Sequence, residues 1–420
     1  MVKEGYINTE LGTIPQDWEY TTWECAGSGF TSGATPYRAI KSYYNGNIKW
    51  VSSGELNYNV IYDTIEHISE EARQKTNLKL HPSNTFLMAI TGLEAAGTRG
   101  SCAILGSTAT TNQSCMAVYG TEKLDIKYLY HFYVKYGNEL AFRYCQGTKQ
   151  QSYTAQIVKK LPIVLPDFCE QQRIAEALSE MDNLVSSLEK LIEKKKAIKQ
   201  GAMQELLTGK KRLPGFDGKW KTLSLAEIGT ITGSGVDKKI LPDEQPITLL
   251  NYTNVYHQVF ISRKDLNHQV TASAEKIKNC SVLKGDVFLT PTSETPEEIA
   301  ISAVASEDMS DVVYSYHVVR LRPNTCYNGA FINYALSTPL FREQTVQFAE
   351  GSGIRYVITL KKFKEMQVHI PAEKEEQNAI VSILSDMDEE ITALEQKIVK
   401  CQKLKQGMMQ QLLTGKIRLV

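Results

Sequence analysis

The sequence lacks the apolar segments and the cysteine pairs that mark membrane and secreted proteins. Its longest uninterrupted apolar runs are only five residues long, as in Phe86–Ile90, whereas a membrane-spanning helix needs roughly 20. The N-terminal segment MVKEGYINTE is too polar for a signal peptide. The eight cysteines form no C-x-x-C pair, so neither a disulfide framework nor a zinc site is indicated. We therefore expect a cytoplasmic protein with reduced thiols and no membrane contact.

Net charge is also lacking, because 47 Lys and Arg residues balance 47 Asp and Glu residues. No overall field indicates a nucleic acid, a membrane or an acidic partner, and a bound polyanion would have to contact local patches. The composition is that of an ordinary globular protein, with 42% hydrophobic and 22% charged residues. At 420 residues the chain exceeds what one hydrophobic core usually organises, so we predict two or three domains.

Common catalytic motifs are absent from the sequence. No phosphate-binding G-x-x-x-x-G-K-[ST] motif occurs, and the seven histidines show no metal-ligand spacing. The absence of any Pro-Pro dipeptide excludes the Asn/Asp-Pro-Pro-aromatic motif expected of a methyltransferase acting on an exocyclic amine. Two Glu-x-Lys tripeptides, at 193–195 and 395–397, fall in charged helical segments, where salt bridges explain them better than a nuclease site does. We predict that the chain is not an enzyme and itself binds neither a metal nor a cofactor.

What the sequence does contain is an internal repeat. The segment 170–213 aligns with 376–419 at a shift of 206 residues, and just over half of the 44 aligned positions are identical. About 165 residues precede the first copy and about 160 separate the two copies. The order is therefore globular segment, repeat, globular segment, repeat, which indicates a tandem duplication.

Each copy of the repeat predicts a long helix. Apolar residues recur with the 3.5-residue period of a coiled coil, a proline precedes each start, and a Thr-Gly pair marks each end. The seam is expected to continue through Ile198, Ala202 and Leu206 in the first copy and through Leu404, Met408 and Leu412 in the second. Such a helix cannot bury its apolar stripe alone, so we predict that the two copies pair. The seam and partner-interface residues that we single out are Ile174, Leu178, Leu188, Ile192, Ile380, Leu384, Leu394 and Ile398.

The globular segments have a different pattern, in which short β-rich runs alternate with Gly, Asn, Ser and Pro. Predicted strands include Ile48–Ser52, Thr85–Ile90, Cys115–Tyr119, Ile247–Leu250, Val287–Thr290 and Val312–Leu321, and helices are predicted near Ile126–Tyr136 and Gly329–Leu336. We therefore predict an α+β protein with two globular domains at 1–165 and 213–372, a central helix at 166–212 and a C-terminal helix at 373–420.

Polar loops recur at equivalent places in the two globular segments, for example in the turns 146–152 and 350–355. Gln and Arg side chains can bond adenine and guanine edges, whereas Lys, Ser and Thr bond phosphates. Taken singly, each loop is better explained as an ordinary polar turn, and it is their concentration at equivalent places in both globular segments that favours a DNA-binding role. The resulting candidate DNA-binding residues are Thr35, Arg38, Lys49, Ser52, Ser53, Arg99, Thr148, Lys149, Gln150, Gln151, Lys238, Lys239, Asn251, Thr253, Ser352 and Arg355.

The chain resembles the specificity subunit of type I restriction-modification systems over essentially its whole length. The most specific elements are the paired starts, Pro166 with Glu170-Gln171 and Pro371 with Glu376-Gln377, and the paired Gln-x-Leu-Leu-Thr-Gly-Lys ends. The segments 11–18 and 216–220 also look like this family's domain entries.

The resemblance implies two target recognition domains that each recognise one half of a split, asymmetric site in double-stranded DNA. It further implies that the two helices pair as an antiparallel coiled coil with a pseudo-twofold, set the spacing, and dock two modification subunits. Those methyltransferase subunits use S-adenosylmethionine, and restriction subunits with motor and nuclease activity consume ATP with Mg.

Two alternatives remain open from the residues alone. One is an interaction scaffold that does not bind DNA, in which two globular domains bind proteins and the helices act as a spacer. The other is an enzyme of an unrecognised type, against which the missing catalytic motifs argue.

Overall fold

The structure is a computed structural model that describes residues 4–94, 97–147, 151–233 and 235–420, except for the side chain of Ser352. The chain forms two compact units. Unit 1 comprises Met1–Glu189 and Gln396–Val420, and unit 2 comprises Lys190–Glu395. Each unit therefore combines one globular segment with part of each long helix.

The elements of the first globular segment and the first long helix alternate short strands with a few helices. Its strands are β1 Tyr6–Thr9, β2 Gly12–Pro15, β3 Glu19–Thr22, β4 Ser28–Ser32, β5 Ile48–Val51, β6 Asn59–Ile61, β7 Glu66–Ile68, β8 Phe86–Ala89, β9 Cys102–Leu105, β10 Thr110–Thr111, β11 Cys115–Tyr119 and β12 Pro162–Leu165. Its helices are α1 Trp23–Ala26, α2 Glu70–Lys75, α3 Ile126–Tyr144, α4 Ala155–Lys159 and α5 Phe168–Leu206.

The remaining elements follow a similar order. The strands are β13 Trp220–Ser224, β14 Gly229–Thr232, β15 Gln245–Leu250, β16 Phe260–Ile261, β17 Gln269–Ala272, β18 Ser281–Val282, β19 Val287–Leu289, β20 Thr292–Ser293, β21 Ser302–Ala305, β22 Met309–Tyr314, β23 Val319–Pro323, β24 Glu350–Ser352, β25 Arg355–Val357 and β26 Gln367–Pro371. The helices are α6 Leu225–Ile228, α7 Tyr252–His257, α8 Ala274–Asn279, α9 Gly329–Ala335, α10 Pro339–Phe348, α11 Leu360–Glu365 and α12 Lys374–Leu412.

Each unit contains a five-stranded sheet with the same topology. The strand order is β4-β11-β8-β9-β6 in unit 1 and β14-β23-β19-β21-β16 in unit 2. In both sheets the first three pairings are antiparallel and the last is parallel. The central strands β8 and β19 are fully buried, as expected for apolar runs at the middle of a covered sheet. The predicted α+β class with two repeated domains is therefore confirmed.

One predicted strand is wrong in its extent. The run Val312–Leu321 was expected to be one strand, but β22 ends at Tyr314 and β23 begins at Val319. Between them the chain turns, and Ser315 accepts the backbone N–H of Val318 at 3.0 Å. A run of ten residues exceeds the usual strand length, so a turn inside it is the common outcome.

The two long helices each span 39 residues and lie within the predicted segments 166–212 and 373–420. Of the eight seam residues, six are buried, whereas Leu394 and Ile398 are half-buried. The expected continuation of the seam through Ile198 and Leu404 is wrong, because these side chains are 48% and 58% exposed. An α-helix drifts relative to a strict 3.5-residue repeat, so the buried face leaves these two positions. It returns at Leu206 and Leu412, which are buried and were also expected on the seam.

Helix pairing within each unit is antiparallel and is marked by equivalent ion pairs. In unit 1, Lys405 Nζ of α12 lies 2.5 Å from Asp182 Oδ1 of α5. In unit 2, Lys199 Nζ of α5 lies 2.5 Å from Asp388 Oδ1 of α12. Both lysines and both aspartates are related by the 206-residue shift. The lysine side chains are only 16% and 15% exposed, so these pairs are better shielded from salt than surface pairs are.

A buried glutamate at the start of each helix joins three parts of its unit. In unit 1, Glu170 accepts two hydrogen bonds of 2.8 Å from the guanidinium of Arg418 and one of 3.3 Å from the Trp18 indole N–H. In unit 2, Glu376 accepts bonds of 2.7 and 2.8 Å from Arg212. The two glutamates are 0% and 1% exposed, and burying an unpaired charge would be costly, so the arginine partners are essential to this arrangement.

A tryptophan covers the arginine of each junction. The Arg418 guanidinium lies 5.5 Å from the Trp18 ring, and the Arg212 guanidinium lies 5.9 Å from the Trp220 ring. The helix-ending glycine before each arginine has a positive φ, and an added Cβ at Gly209 would lie 3.3 Å from the Trp220 ring. The Thr-Gly-Lys ends are therefore both helix stops and packing sites for the domain entries.

The glutamine after each glutamate fixes the helix to the globular segment. Gln171 donates to Pro166 O at 3.0 Å and accepts the Asp125 backbone N–H at 3.0 Å. Gln377 donates to Pro371 O at 3.0 Å and accepts the Asn328 backbone N–H at 2.7 Å. Both side chains make equivalent bonds although the proline-to-glutamate spacing differs by one residue. The extra residue is accommodated before α12 begins.

We predict that Arg212→Gln and Arg418→Gln each lower the free energy of unfolding of their unit by roughly 3–5 kcal/mol, because each leaves a buried carboxylate without its charge partner. The measurement is urea denaturation followed by circular dichroism. The control is Arg38→Gln, which removes an exposed bidentate pair with Glu66. That control should cost about 1 kcal/mol or less. Equal losses in all three variants would contradict the importance of burial.

We also predict that unit 1 loses stability between pH 7 and pH 5 because of His131. This side chain is fully buried on α3, and its Nε2 lies 3.0 Å from Ser179 Oγ of α5. Burial, helped by the positive charge of Lys405, lowers the pKa of His131 from 6.5 to about 3. The unfolded chain therefore binds a proton at pH 5 that the folded chain does not, which costs about 2 kcal/mol.

The test compares urea denaturation of the parent protein and of His131→Gln at pH 7 and pH 5. The variant keeps a polar side chain without a titrating group, so the loss on going to pH 5 should shrink by about 2 kcal/mol. An identical pH dependence of the two proteins would show that His131 is not the group responsible.

Candidate nucleic-acid interface

The clearest exposed projection in unit 2 is the hairpin of β24 and β25. Ser352 pairs with Arg355 across the two strands, so Gly353 and Ile354 form a two-residue turn. Gly351 and Gly353 have φ values of 140° and 68°, which favour glycine and permit the tight reversal. Arg355 therefore lies at the base of the tip, exposed to solvent, with Nη2 3.5 Å from Thr292 Oγ1 of β20.

An open pocket of about 530 Å³ lies beside this hairpin. One wall is α7, where Tyr252 and Tyr256 are one helical turn apart and their rings are nearly parallel, 6.0 Å between centroids. Ile354 and Arg355 of the hairpin also line the pocket. The remaining lining residues are Thr253, His257, Thr292, Ser293, Glu294 and Glu298. Aromatic faces beside a guanidinium can stack on nucleobases, which every base tolerates because every base has a π face.

Two basic side chains and the carboxylate of Asp237 act on His317, which lies between β22 and β23. The pKa of His317 is lowered, first by burial and then by the charges of Lys238 and Arg355. The turn carrying His317 also presents Tyr316, whose side chain is 47% exposed. Lys239 is paired with Asp237, with Nζ 3.0 Å from Oδ2, and its side chain remains 72% exposed. Lys238 and Arg355, distant in sequence, therefore contribute to one local field.

Two further candidates in unit 2, Thr253 and Asn251, lie at the start of α7 but differ in exposure. Thr253 is exposed and lines the pocket. Asn251 is only 8% exposed and lies at the start of α7, where its backbone N–H donates to Asn254 Oδ1 at 2.9 Å. Asn251 therefore shapes α7 from within the domain.

In unit 1, two candidates contact each other. Arg99 donates from Nη2 to Gln151 Oε1 at 3.1 Å and from Nε to Leu93 O at 2.8 Å. Its guanidinium lies 6.0 Å from the ring of Phe142, which is 78% exposed. Gln151 belongs to the segment 146–152, which corresponds in sequence to the hairpin segment 350–355 of unit 2.

The remaining candidates in unit 1 already have partners within the domain. Arg38 makes a bidentate ion pair with Glu66, and its guanidinium lies 4.4 Å from the Tyr44 ring. Lys49 donates to Tyr62 O at 2.6 Å and to Ser107 Oγ at 2.9 Å, which orders a loop. Contact with DNA through Lys49 would require these bonds to be exchanged.

The small polar candidates of unit 1 also make local bonds. Thr35 Oγ1 donates to Gln113 Oε1 at 2.5 Å and remains exposed. Ser52 donates from its backbone and its hydroxyl to Glu55 Oε1 at 2.9 Å, which caps a short helical turn that contains Ser53. Thr148, Lys149 and Gln150 lie outside the described residues, as does the side chain of Ser352.

Within the described residues, no group of three or more His, Cys, Asp or Glu side chains is arranged to hold a metal ion. No helix in the described part of the chain is both long and apolar enough to cross a membrane.

Comparison with known proteins assigns the family. The model of the type I restriction modification DNA specificity domain matches residues 26–200 and again residues 217–401. The chain belongs to this family. The two matches correspond to the two copies of the domain-plus-helix repeat, so each unit contains a globular segment from one copy of the family's domain.

Curated relatives include specificity subunits of type I restriction enzymes. The MjaIX specificity subunit of Methanocaldococcus jannaschii is 30% identical over 189 residues, covering 44% of this chain and 42% of that protein. The EcoR124I/EcoR124II specificity subunit of Escherichia coli is 28% identical over 171 residues, covering 40% and 42%. The chain thus spans less than half the length of these two relatives. The putative MjaX subunit is 23% identical over 463 residues, covering 99% and 97%.

Solved structures show the same fold. The S subunit of a type I restriction-modification system from M. genitalium superposes with a TM-score of 0.59 at 16% identity, covering 94% of this chain and 96% of that one. A chain from a structural study of complex assembly in a type I system superposes with a TM-score of 0.55 at 16% identity, covering 96% and 99%.

Sequence reasoning missed the aromatic and histidine components of the candidate interface. Tyr252 and Tyr256 have the i, i+4 spacing of one helix face, which could have identified them. His317 and Thr292 carry no such signal, because strand pairing brings them to the hairpin from distant parts of the sequence.

Proposed function

We propose that this chain is the DNA-recognition subunit of a type I restriction-modification complex and has no catalytic activity of its own. The observation that carries the proposal is the presence of two copies of the family's DNA specificity domain, with equivalent sheets and different surface loops. Each unit would recognise one half of a split DNA site. Because the loops differ, the two halves would differ in sequence.

The paired helices supply a reason for two equivalent partners. The Glu–Arg–Trp junction and the Lys–Asp pair occur once in each unit, so each unit presents a similar helical surface. We propose that two modification subunits dock on these surfaces and methylate DNA with S-adenosylmethionine. Restriction subunits that consume ATP with Mg would join for cleavage. The buried seam residues, such as Leu188 and Ile192, would hold the helices in the form that partners bind.

The scaffold interpretation is not favoured, because both family matches are to a DNA specificity domain. A neutral overall charge is compatible with DNA binding if the partner subunits supply much of the phosphate contact. The local field around Arg355 and Lys238 would then orient one half-site.

We predict that replacing residues 213–372 by the corresponding segment of another family member changes only one half of the recognised sequence. The reason is that unit 1 keeps all residues of its globular segment. The measurement is selection of bound sequences from a random DNA pool by the complex assembled with its modification subunits. A change in both halves, or in neither, would contradict the assignment of one half-site to each unit.

We also predict that Arg355→Ala weakens DNA binding by the assembled complex about 5- to 100-fold and relaxes preference at one position, as expected for loss of an arginine that contacts a base edge. The matched control is Arg73→Ala, because Arg73 is paired with Glu70 and is not among the candidate DNA-binding residues. Affinity and sequence preference are measured by fluorescence anisotropy at a fixed salt concentration, because phosphate contacts depend on salt. An Arg355→Ala variant with unchanged affinity and preference would remove this residue from the interface.

A further inference from the structure

We propose that Ile354 is an apolar wedge that inserts between neighbouring base pairs in the half-site recognised by unit 2. The inference rests on the proposed function and adds a mechanism by which that half-site is distorted and selected. It begins from the position of Ile354 at the turn of the β24–β25 hairpin. The side chain is 86% exposed, although isoleucine is among the residues most often buried.

The hairpin is narrow enough to enter a groove. Its turn consists of only Gly353 and Ile354, and Gly353 has no side chain that would widen the tip. The major groove of DNA is about 12 Å wide and admits a two-stranded β-ribbon. Ile354 is therefore the bulkiest apolar group at the leading end of the hairpin.

The base of the hairpin is held by contacts within unit 2. These contacts would keep the tip in position while its side chain separates two neighbouring base pairs. β25 also pairs with β20, and the backbone N–H of Ile358 donates to Pro291 O at 2.9 Å. Ile358 is 1% exposed, and Lys362 Nζ lies 2.8 Å from Glu350 Oε1 at the other strand. Such support matters because unstacking a base step costs free energy, which must be offset by contacts between the protein and the DNA. A side chain held in a fixed position makes those contacts at the least entropic cost.

The surroundings of Ile354 suit a partly unstacked DNA segment. Arg355, the next residue, is exposed and can bond a base edge or a phosphate. The stacked rings of Tyr252 and Tyr256 line the same pocket as Ile354 and present an aromatic face beside it. A displaced base edge or sugar could contact that face. Isoleucine is one of the residue types that proteins insert between base steps.

The corresponding turn of unit 1 has a different composition. Residues 146–152 read QGTKQQS and contain no large apolar side chain. The wedge is therefore a property of one half-site only. This asymmetry gives the two halves different requirements, because pyrimidine–purine steps unstack more easily than other steps do.

The test uses the assembled complex and DNA carrying its recognised site, with 2-aminopurine placed at successive positions of both halves. The methylated adenine is left out of the scan, because a methyltransferase extrudes its target base. With the parent chain we expect a fluorescence increase at one step in the half-site of unit 2 and none of this kind in the other half.

Ile354→Ala should abolish that increase and weaken binding roughly tenfold, since the small side chain cannot fill the opened step. Ile354→Met keeps a long apolar side chain and should retain the signal. Leu340→Ala is the matched control, because Leu340 is an apolar residue of the same unit, 57% exposed, and lies on α10 rather than on the hairpin. It should leave fluorescence and affinity unchanged.

The outcomes distinguish the wedge from the function on which it rests. Specific binding by the parent complex with an unchanged fluorescence pattern and affinity in Ile354→Ala would overturn the wedge and leave DNA recognition intact. A parent complex that binds DNA without sequence preference would overturn the proposed function, and the wedge with it.

Discussion

The rest of each unit depends on one ion pair, which joins a buried glutamate at the start of one long helix to an arginine beyond the end of the other. Glu170 and Glu376 are buried, and a buried charge is tolerated only when it is paired and hydrogen-bonded. The partner in each case is an arginine that follows the end of the other helix, and a tryptophan from the domain entry covers it. Helix start, helix end and globular segment therefore acquire a fixed relation within the unit.

This arrangement explains why the junction residues are alike in the two copies of the repeat whereas the exposed turns differ. Residues of the junction and the inter-helix ion pairs make contacts between distant parts of the sequence, so a change in one requires a change in another. The five-stranded sheets are constrained similarly, because each depends on pairing between strands that are distant in sequence and on a buried central strand. The exposed turns carry no such requirement. Their side chains can differ between the two units, as the proposed recognition of two different half-sites requires.

The sequence predicted the parts of the fold that periodicity and local signals determine. Both long helices begin and end close to the expected residues, and most of the predicted strands are present. The predicted seam holds at Leu206 and Leu412 but fails at Ile198 and Leu404, because an α-helix does not keep a strict heptad over 39 residues. The pairing of Glu170 with Arg418 could not be predicted, although both repeat motifs were identified, because nothing in a motif specifies a partner 248 residues away. The candidate interface shows the same limit, since Arg38 and Lys49 have partners in their own domain whereas His317 joins the hairpin only through strand pairing.

The claim that this chain determines which DNA sequence is modified is tested most directly by single-molecule methylation mapping. DNA would be taken from cells that express the chain with its neighbouring modification subunit and from cells that express the modification subunit alone. The account predicts new methyladenine in a two-part motif with a fixed gap, found only when the chain is present. No new methylation from an assembly that pull-down shows to contain both proteins would contradict it.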